Sequence, residues 1–204
     1  MLPSAFNEKE TKFTWKDKNG VAHPHFVADT ALAKRLSGLT QIMDDLKYGH
    51  ELMAMVNDTA NTDVAYSLWM SAIVTYGKCF ATAKGRRIKI ESNHVLKADS
   101  EALDFHQSIL DMRNEYFAHA GINDYERAST VVILSPTEMG KSVVAVNHLK
   151  AQHTKPSQEF CVSFCHLCRK LYDVVESIGE EVHRKVLDEY RSMNIDTLYE
   201  KIET

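Results

Sequence analysis

Residues 29–46, DTALAKRLSGLTQIMDDL, are the stretch that decides the fold. Leu32, Leu36, Leu39, Met43 and Leu46 recur at i, i+4, i+7, i+11 and i+14, the repeat of a long amphipathic helix and not of a strand. Before it, residues 1–27 are polar and irregular, with a turn signal at Asn19-Gly20 and a His-Pro-His at 23–25. They predict an N-terminal arm laid over a domain that covers 28–204.

After it, Asn57 to Asn61 breaks the pattern, and Thr62-Asp63 offers a helix cap. Val64, Leu68, Ala72, Tyr76 and Phe80 then mark a second helix, stopped by Gly85. A third is expected from about Ser100, carrying Phe105, Ile109, Met112 and Tyr116 into Gly121. Thr130–Leu134 and Ser142–Val146 are rich in β-branched residues around the turn-like Ser135–Gly140, which predicts a β-hairpin at about 130–146 and no other regular β structure. Pro156 suits a first helical position. Phe160, Phe164, Leu167, Leu171, Val174 and Ile178 follow as a fourth long helix to about Arg191, with a short tail helix after it. The expected class is mainly α, one domain, with an inserted hairpin.

Composition excludes several alternatives. The chain has 204 residues, 44% hydrophobic and 25% charged, with a formal net charge of -4. That is enough chain for a core without staples. No global basic signature is present, so contact with nucleic acid must come from a local patch. No apolar run approaches the roughly 20 residues a membrane span needs, and no basic-then-apolar leader opens the chain. A reducing cytoplasm is the expected setting.

Two motifs fail on context. Cys161, Cys165 and Cys168 have the C-x3-C-x2-C spacing of an iron–sulfur ligand set. They also lie at i, i+4 and i+7 of a strong helical pattern, which makes them one apolar stripe of small thiols. Zinc through His166 or His153 lacks paired short-spaced ligands from two segments. No metal and no cofactor are expected. Gly140-Lys141-Ser142 resembles the end of a phosphate-binding loop, but Ser135 stands where the first glycine belongs, and Val-Val-Ala-Val follows where a helix should start.

The segment Lys84-Gly85-Arg86-Arg87-Ile88-Lys89 is dense in cations. It is read either as a solvated loop or, through Lys84, Arg86, Arg87 and Lys89, as a contact for a phosphate backbone. The other chemical candidate is Arg113-Asn114-x4-His119 in MRNEYFAHAG, residues 112–121. Arginine suits bidentate phosphate recognition, histidine moves protons near neutral pH, and asparagine can orient either a ligand or the imidazole. The plain alternative is a helix end, with His119 against the dipole and Gly121 as the stop. On a straight α-helix, Arg113 and His119 stand about 9 Å apart along the axis and about 120° around it. They meet at one phosphodiester only if the helix unwinds or a second subunit completes the site.

This R-N-x4-H at a helix end of a small all-α domain resembles the HEPN superfamily, whose motif is R-x(4-6)-H with a polar residue after the arginine. Leu110–Asn114 and Phe117–Ala120 look most like HEPN proteins of abortive-infection and related prokaryotic defence systems. The resemblance implies an antiparallel up-and-down helical bundle and a homodimer. It implies a metal-independent endoribonuclease with Arg113, Asn114 and His119 as catalytic residues, RNA as the substrate, and an antitoxin or other protein as a further partner. The other function weighed is a catalytically inactive helical dimer that binds a protein or ligand.

Overall fold

The computed structural model describes residues 15–82, 85–118, 126–152 and 155–202. It is mainly helical, with two antiparallel strand pairs. Helix α1 spans Ala31–Asp58. It starts where the Thr30 side chain accepts a hydrogen bond from the Ala33 N–H at 3.2 Å, and that hydroxyl also donates to Glu189 Oε2 at 2.9 Å. One side chain thus caps α1 and ties it to the far end of the chain. Leu39, Ile42, Leu46, Met53 and Val56 are buried along α1.

Helix α2, Thr62–Phe80, is capped by Asn61 and not by Thr62; the Asn61 amide oxygen accepts from the Asp63 and Val64 N–H groups. Its buried face is Ala65, Trp69, Ala72, Ile73 and Tyr76, while Val64 is exposed. The expected stripe holds at Ala72 and Tyr76, whereas in the first half of the helix Trp69 takes the interior ahead of Leu68, because burying Trp69 removes more apolar surface from water.

Contacts between α1 and α2 run in opposite order along the two helices. Lys78 pairs with Asp45 at 2.9 Å, and a Cβ on Gly49 would rest 3.7 Å from the Ala72 carbonyl.

The chain then departs from its sequence pattern. A short helix α3, Ser92–Ala98, was not foreseen; it buries only Val95 and lacks a periodic apolar face. Helix α4 runs Leu103–Asp111 and passes directly into a π-helix, Met112–Ala118. Strands β3, Glu126–Leu134, and β4, Val143–Gln152, extend the expected hairpin at its base, with a register shift after Ile133.

The expectation of a single β element is corrected by strands β1, Trp15–Lys16, and β2, Ala22–His23. The turn between them holds Gly20 at φ +81, and Asp17 Oδ1 accepts from the Asn19 and Val21 N–H groups. That turn chemistry was visible as Asn-Gly.

Helix α5, Gln158–Arg191, is capped by Ser157, with Pro156 one residue before the cap and not inside the helix. It packs along α1, from Cys165 Sγ beside the His50 carbonyl to Gly179 beside Met43. Helix α6, Ile195–Glu200, follows. The cysteine stripe packs as a helical face: Cys161 and Cys168 are buried and Cys165 half-buried. Burial pushes all three thiols up from their ordinary values, so they stay protonated at neutral pH.

Inside the core, the Tyr76 hydroxyl and His106 Nδ1 lie 2.8 Å apart, and the His106 ring stands 4.3 Å from that of Phe80. Desolvation lowers the His106 pKa, so the buried ring is neutral. The unfolded chain takes up this proton near pH 6.5, the folded chain only at lower pH. Below about pH 6.5 the unfolded state therefore binds more protons and stability falls. Urea midpoints measured between about pH 7.5 and 5.5 should drop more steeply for the wild type than for His106→Gln, which can keep a hydrogen bond to Tyr76 without titrating.

Candidate functional site

Arg113 and Asn114 are the second and third residues of the π-helix that continues α4. The reason for the π turn lies in the aromatic residues that follow. Tyr116 and Phe117 both pack on α2: the Phe117 ring is 5.0 Å from Trp69, that of Tyr116 6.0 Å from Trp69, and both approach Tyr66. Adjacent residues on an α-helix point about 100° apart. The wider i→i+5 turn reduces that angle and lets both rings face the same helix. Tyr116 is therefore core, its hydroxyl pushed up to about 12 chiefly by burial and within 3.4 Å of Gln152 at the foot of the hairpin.

The same turn carries Arg113 onto α2 at Gly77. A Cβ at Gly77 would lie 2.9 Å from Arg113 Cδ and 3.2 Å from its Cγ and Nε, so the arginine stem occupies the space a side chain would take. Arg113 is half-buried, and its Nη1 donates to Asn114 Oδ1 at 2.8 Å. Its Nε–H is buried and has no hydrogen-bond partner among the described residues, which also place no carboxylate within ion-pair distance of it. An unmade hydrogen bond on a buried donor costs about 1–3 kcal/mol, and more where the group is charged. The guanidinium is thus packed, oriented by an amide, and left with unused capacity for an anion.

Beside Met112 opens a cleft of about 740 Å³, walled by Trp69, Phe105 and Phe160 with Lys155 at its rim. His119 lies outside the described residues, as does Lys84. The structure therefore brings together Arg113 and Asn114 of the expected catalytic set.

The basic segment divides into two faces. Arg86 turns inward: its side chain is 11% exposed, it is ion-paired with Asp45, and its Nη1 donates to the Lys78 carbonyl at 3.3 Å. This corrects the expectation that it meets a phosphate backbone. Asp45 and the tight fit of Ile88 on Gly38 engage that side of the segment, and a Cβ on Gly38 would overlap the Ile88 methyl and the Arg86 carbonyl. Arg87 faces solvent from a left-handed backbone position, φ +60, and Lys89 pairs at 3.3 Å with Glu91.

Sequence reasoning missed two features. Gly77 signals itself only through its neighbour, and the Asp45–Arg86 pair joins residues 41 positions apart. Among the described residues no group of three or more His, Cys, Asp or Glu side chains is placed to hold a metal ion, and no helix is long and apolar enough to cross a membrane. No protein-family model, curated protein or solved structure matches the chain.

The two neighbouring arginines should behave oppositely in equilibrium urea unfolding. Arg86→Ala removes one partner of a largely buried pair and should cost about 2 kcal/mol or more. Arg87→Ala should stay within about 0.5 kcal/mol of wild type.

Proposed function

We propose that this chain is a metal-independent endoribonuclease of HEPN type, folded as an antiparallel up-and-down helical bundle and working as a homodimer on single-stranded RNA, in a prokaryotic defence or toxin–antitoxin setting. The observation that carries this is the state of Arg113: a half-buried guanidinium fixed by Gly77 and Asn114, with a buried Nε–H left unbonded. A group held in that way suits charge that develops in a transition state, because it needs no reorganisation when the charge arrives.

In this mechanism the RNA 2′-hydroxyl attacks the adjacent phosphorus, and the leaving 5′-oxygen departs to give a 2′,3′-cyclic phosphate. His119 moves a proton, as base to the 2′-hydroxyl or as acid to the 5′-oxygen. Arg113 neutralises charge on the non-bridging oxygens, and Asn114 keeps the guanidinium aimed. The chemistry needs an acid–base group and a fixed cation, both of which the motif supplies. The aromatic walls of the cleft beside Met112 suit a stacked base, and Arg87 and Lys89 are the cations of the basic segment proposed to meet the strand.

The second copy is proposed to cover the hairpin. A two-stranded ribbon alone is marginal in water, yet Val132, Leu134, Val143, Val144, Val146 and Leu149 are all exposed.

The protein should cleave single-stranded RNA in EDTA, leave a 2′,3′-cyclic phosphate and spare DNA. Arg113→Ala and His119→Ala should each lower the rate by about 100-fold or more. Gly77→Ala should lower it comparably by displacing Arg113 while leaving the thermal midpoint within a few degrees, since alanine favours a helix interior by about 0.5–1 kcal/mol. Light scattering should give twice the monomer mass, reverting to one in Val144→Lys/Val146→Lys. No cleavage of any RNA by a dimeric wild type would favour the inactive binding module instead.

A further inference from the structure

A second cavity lies away from Arg113, where the first half of α1, the 85–90 segment, α3 and α5 meet. It measures about 470 Å³, within the range of small-ligand sites. Four cations line it, Lys34 and Arg35 from α1 and Arg87 and Lys89 from the segment, and no carboxylate is among the lining residues. The floor is aliphatic, made by Leu39 and Ile90, both buried, with Ile178 from α5. The nearest counter-charges are outside the lining. Glu91 pairs with Lys89, and Glu181, whose carboxyl is lowered mainly by Lys185, senses Arg35 only weakly. Among the described residues Lys34, Arg35 and Arg87 have no ion-pair partner.

The groove is built and held. Arg86, locked to Asp45, and Ile88, seated on Gly38, press the segment against α1, and the Ile90 N–H donates to the Cys79 carbonyl at 2.9 Å. Arg87 is the only described non-glycine residue with positive φ. A backbone position of that kind costs about 1 kcal/mol or more and persists where the surroundings impose it. Here it holds a guanidinium at the rim of the groove. His94 completes the wall, its Nδ1 2.9 Å from the Glu91 N–H.

From this combination we propose that the groove binds an organic phosphate, its anionic head held by Arg35 and Arg87 and its apolar body resting on Leu39, Ile90 and Ile178. Arginine forks match phosphate oxygens in pairs. The aliphatic floor distinguishes an organic phosphate from the free ion, because only the former covers apolar surface. A nucleotide and an alkyl phosphate share this chemistry. The site does not depend on the cleavage chemistry of Arg113, and it shares Arg87 and Lys89 with the strand contact proposed above.

Isothermal titration of the full chain with adenosine monophosphate, octyl phosphate and inorganic phosphate tests the proposal. At least one organic phosphate should bind about tenfold or more tightly than inorganic phosphate, and whichever of the two it is identifies a nucleotide or a lipid-like source. Arg35→Ala and Arg87→Ala should each weaken that binding about tenfold or more. Ile178→Glu should abolish it, with circular dichroism confirming the fold, and Arg113→Ala should leave it unchanged. The proposal is overturned by no binding of either organic probe at millimolar concentration. Equal affinity for all three probes, or binding that persists in the Arg35 and Arg87 variants or is lost in Arg113→Ala, overturns it too.

Discussion

Glycine sets how closely other segments approach the first two helices, and the candidate site depends on that closeness. At Gly38 the Arg86–Ile88 backbone comes so near to α1 that a single methyl group would overlap it. At Gly77 the stem of Arg113 lies in the space left by a missing side chain on α2. Both glycines sit inside helices, where each is less favourable than alanine by roughly 0.5–1 kcal/mol. That cost is offset by packing that fixes two arginines in different electrostatic states.

The contrast between those arginines explains the division of labour. Arg86 finds Asp45, joins α1 to the segment after α2, and becomes part of the framework. Arg113 finds an amide in place of a carboxylate. A carboxylate partner would compensate the charge and compete with an incoming anion. An amide orients the guanidinium and leaves its charge uncompensated. The π turn that places Arg113 is held by Tyr116 and Phe117 against Trp69, so the aromatic core and the candidate site are two sides of one local distortion.

Features governed by local period and capping were legible in the sequence. The long helices α1 and α5, the Arg191 end of the latter and the core of the β3–β4 hairpin follow from apolar spacing and β-branched runs. Features that depend on distant partners were not. The Val64–Leu68 stripe was displaced because Trp69, the larger residue, took the interior. Helix α3 carries one buried residue and gives no periodic signal. The π-helix has no signature in spacing, since its cause is the position of Tyr66 and Trp69 on another element. Of the candidate site, Arg113 and Asn114 were identifiable by type, but the hydrogen bond between them was not, since the amide was expected to orient a ligand or the imidazole. The inward turn of Arg86 was invisible because charge runs do not reveal which member has a buried partner.

The central claim is that Arg113 holds a pre-oriented guanidinium, its Nε–H buried and unbonded, whose Nη groups meet a phosphate. Proton–nitrogen correlation NMR of arginine Nε–H groups reads this directly, with Arg113→Lys assigning the resonance and cytidine 3′-monophosphate as the probe. The account predicts a slowly exchanging Arg113 Nε–H signal in the free protein that shifts on titration, as charge-assisted hydrogen bonds form at the Nη groups of the same guanidinium. An Arg113 signal that exchanges freely with water, or one that does not move at saturating probe, would contradict it.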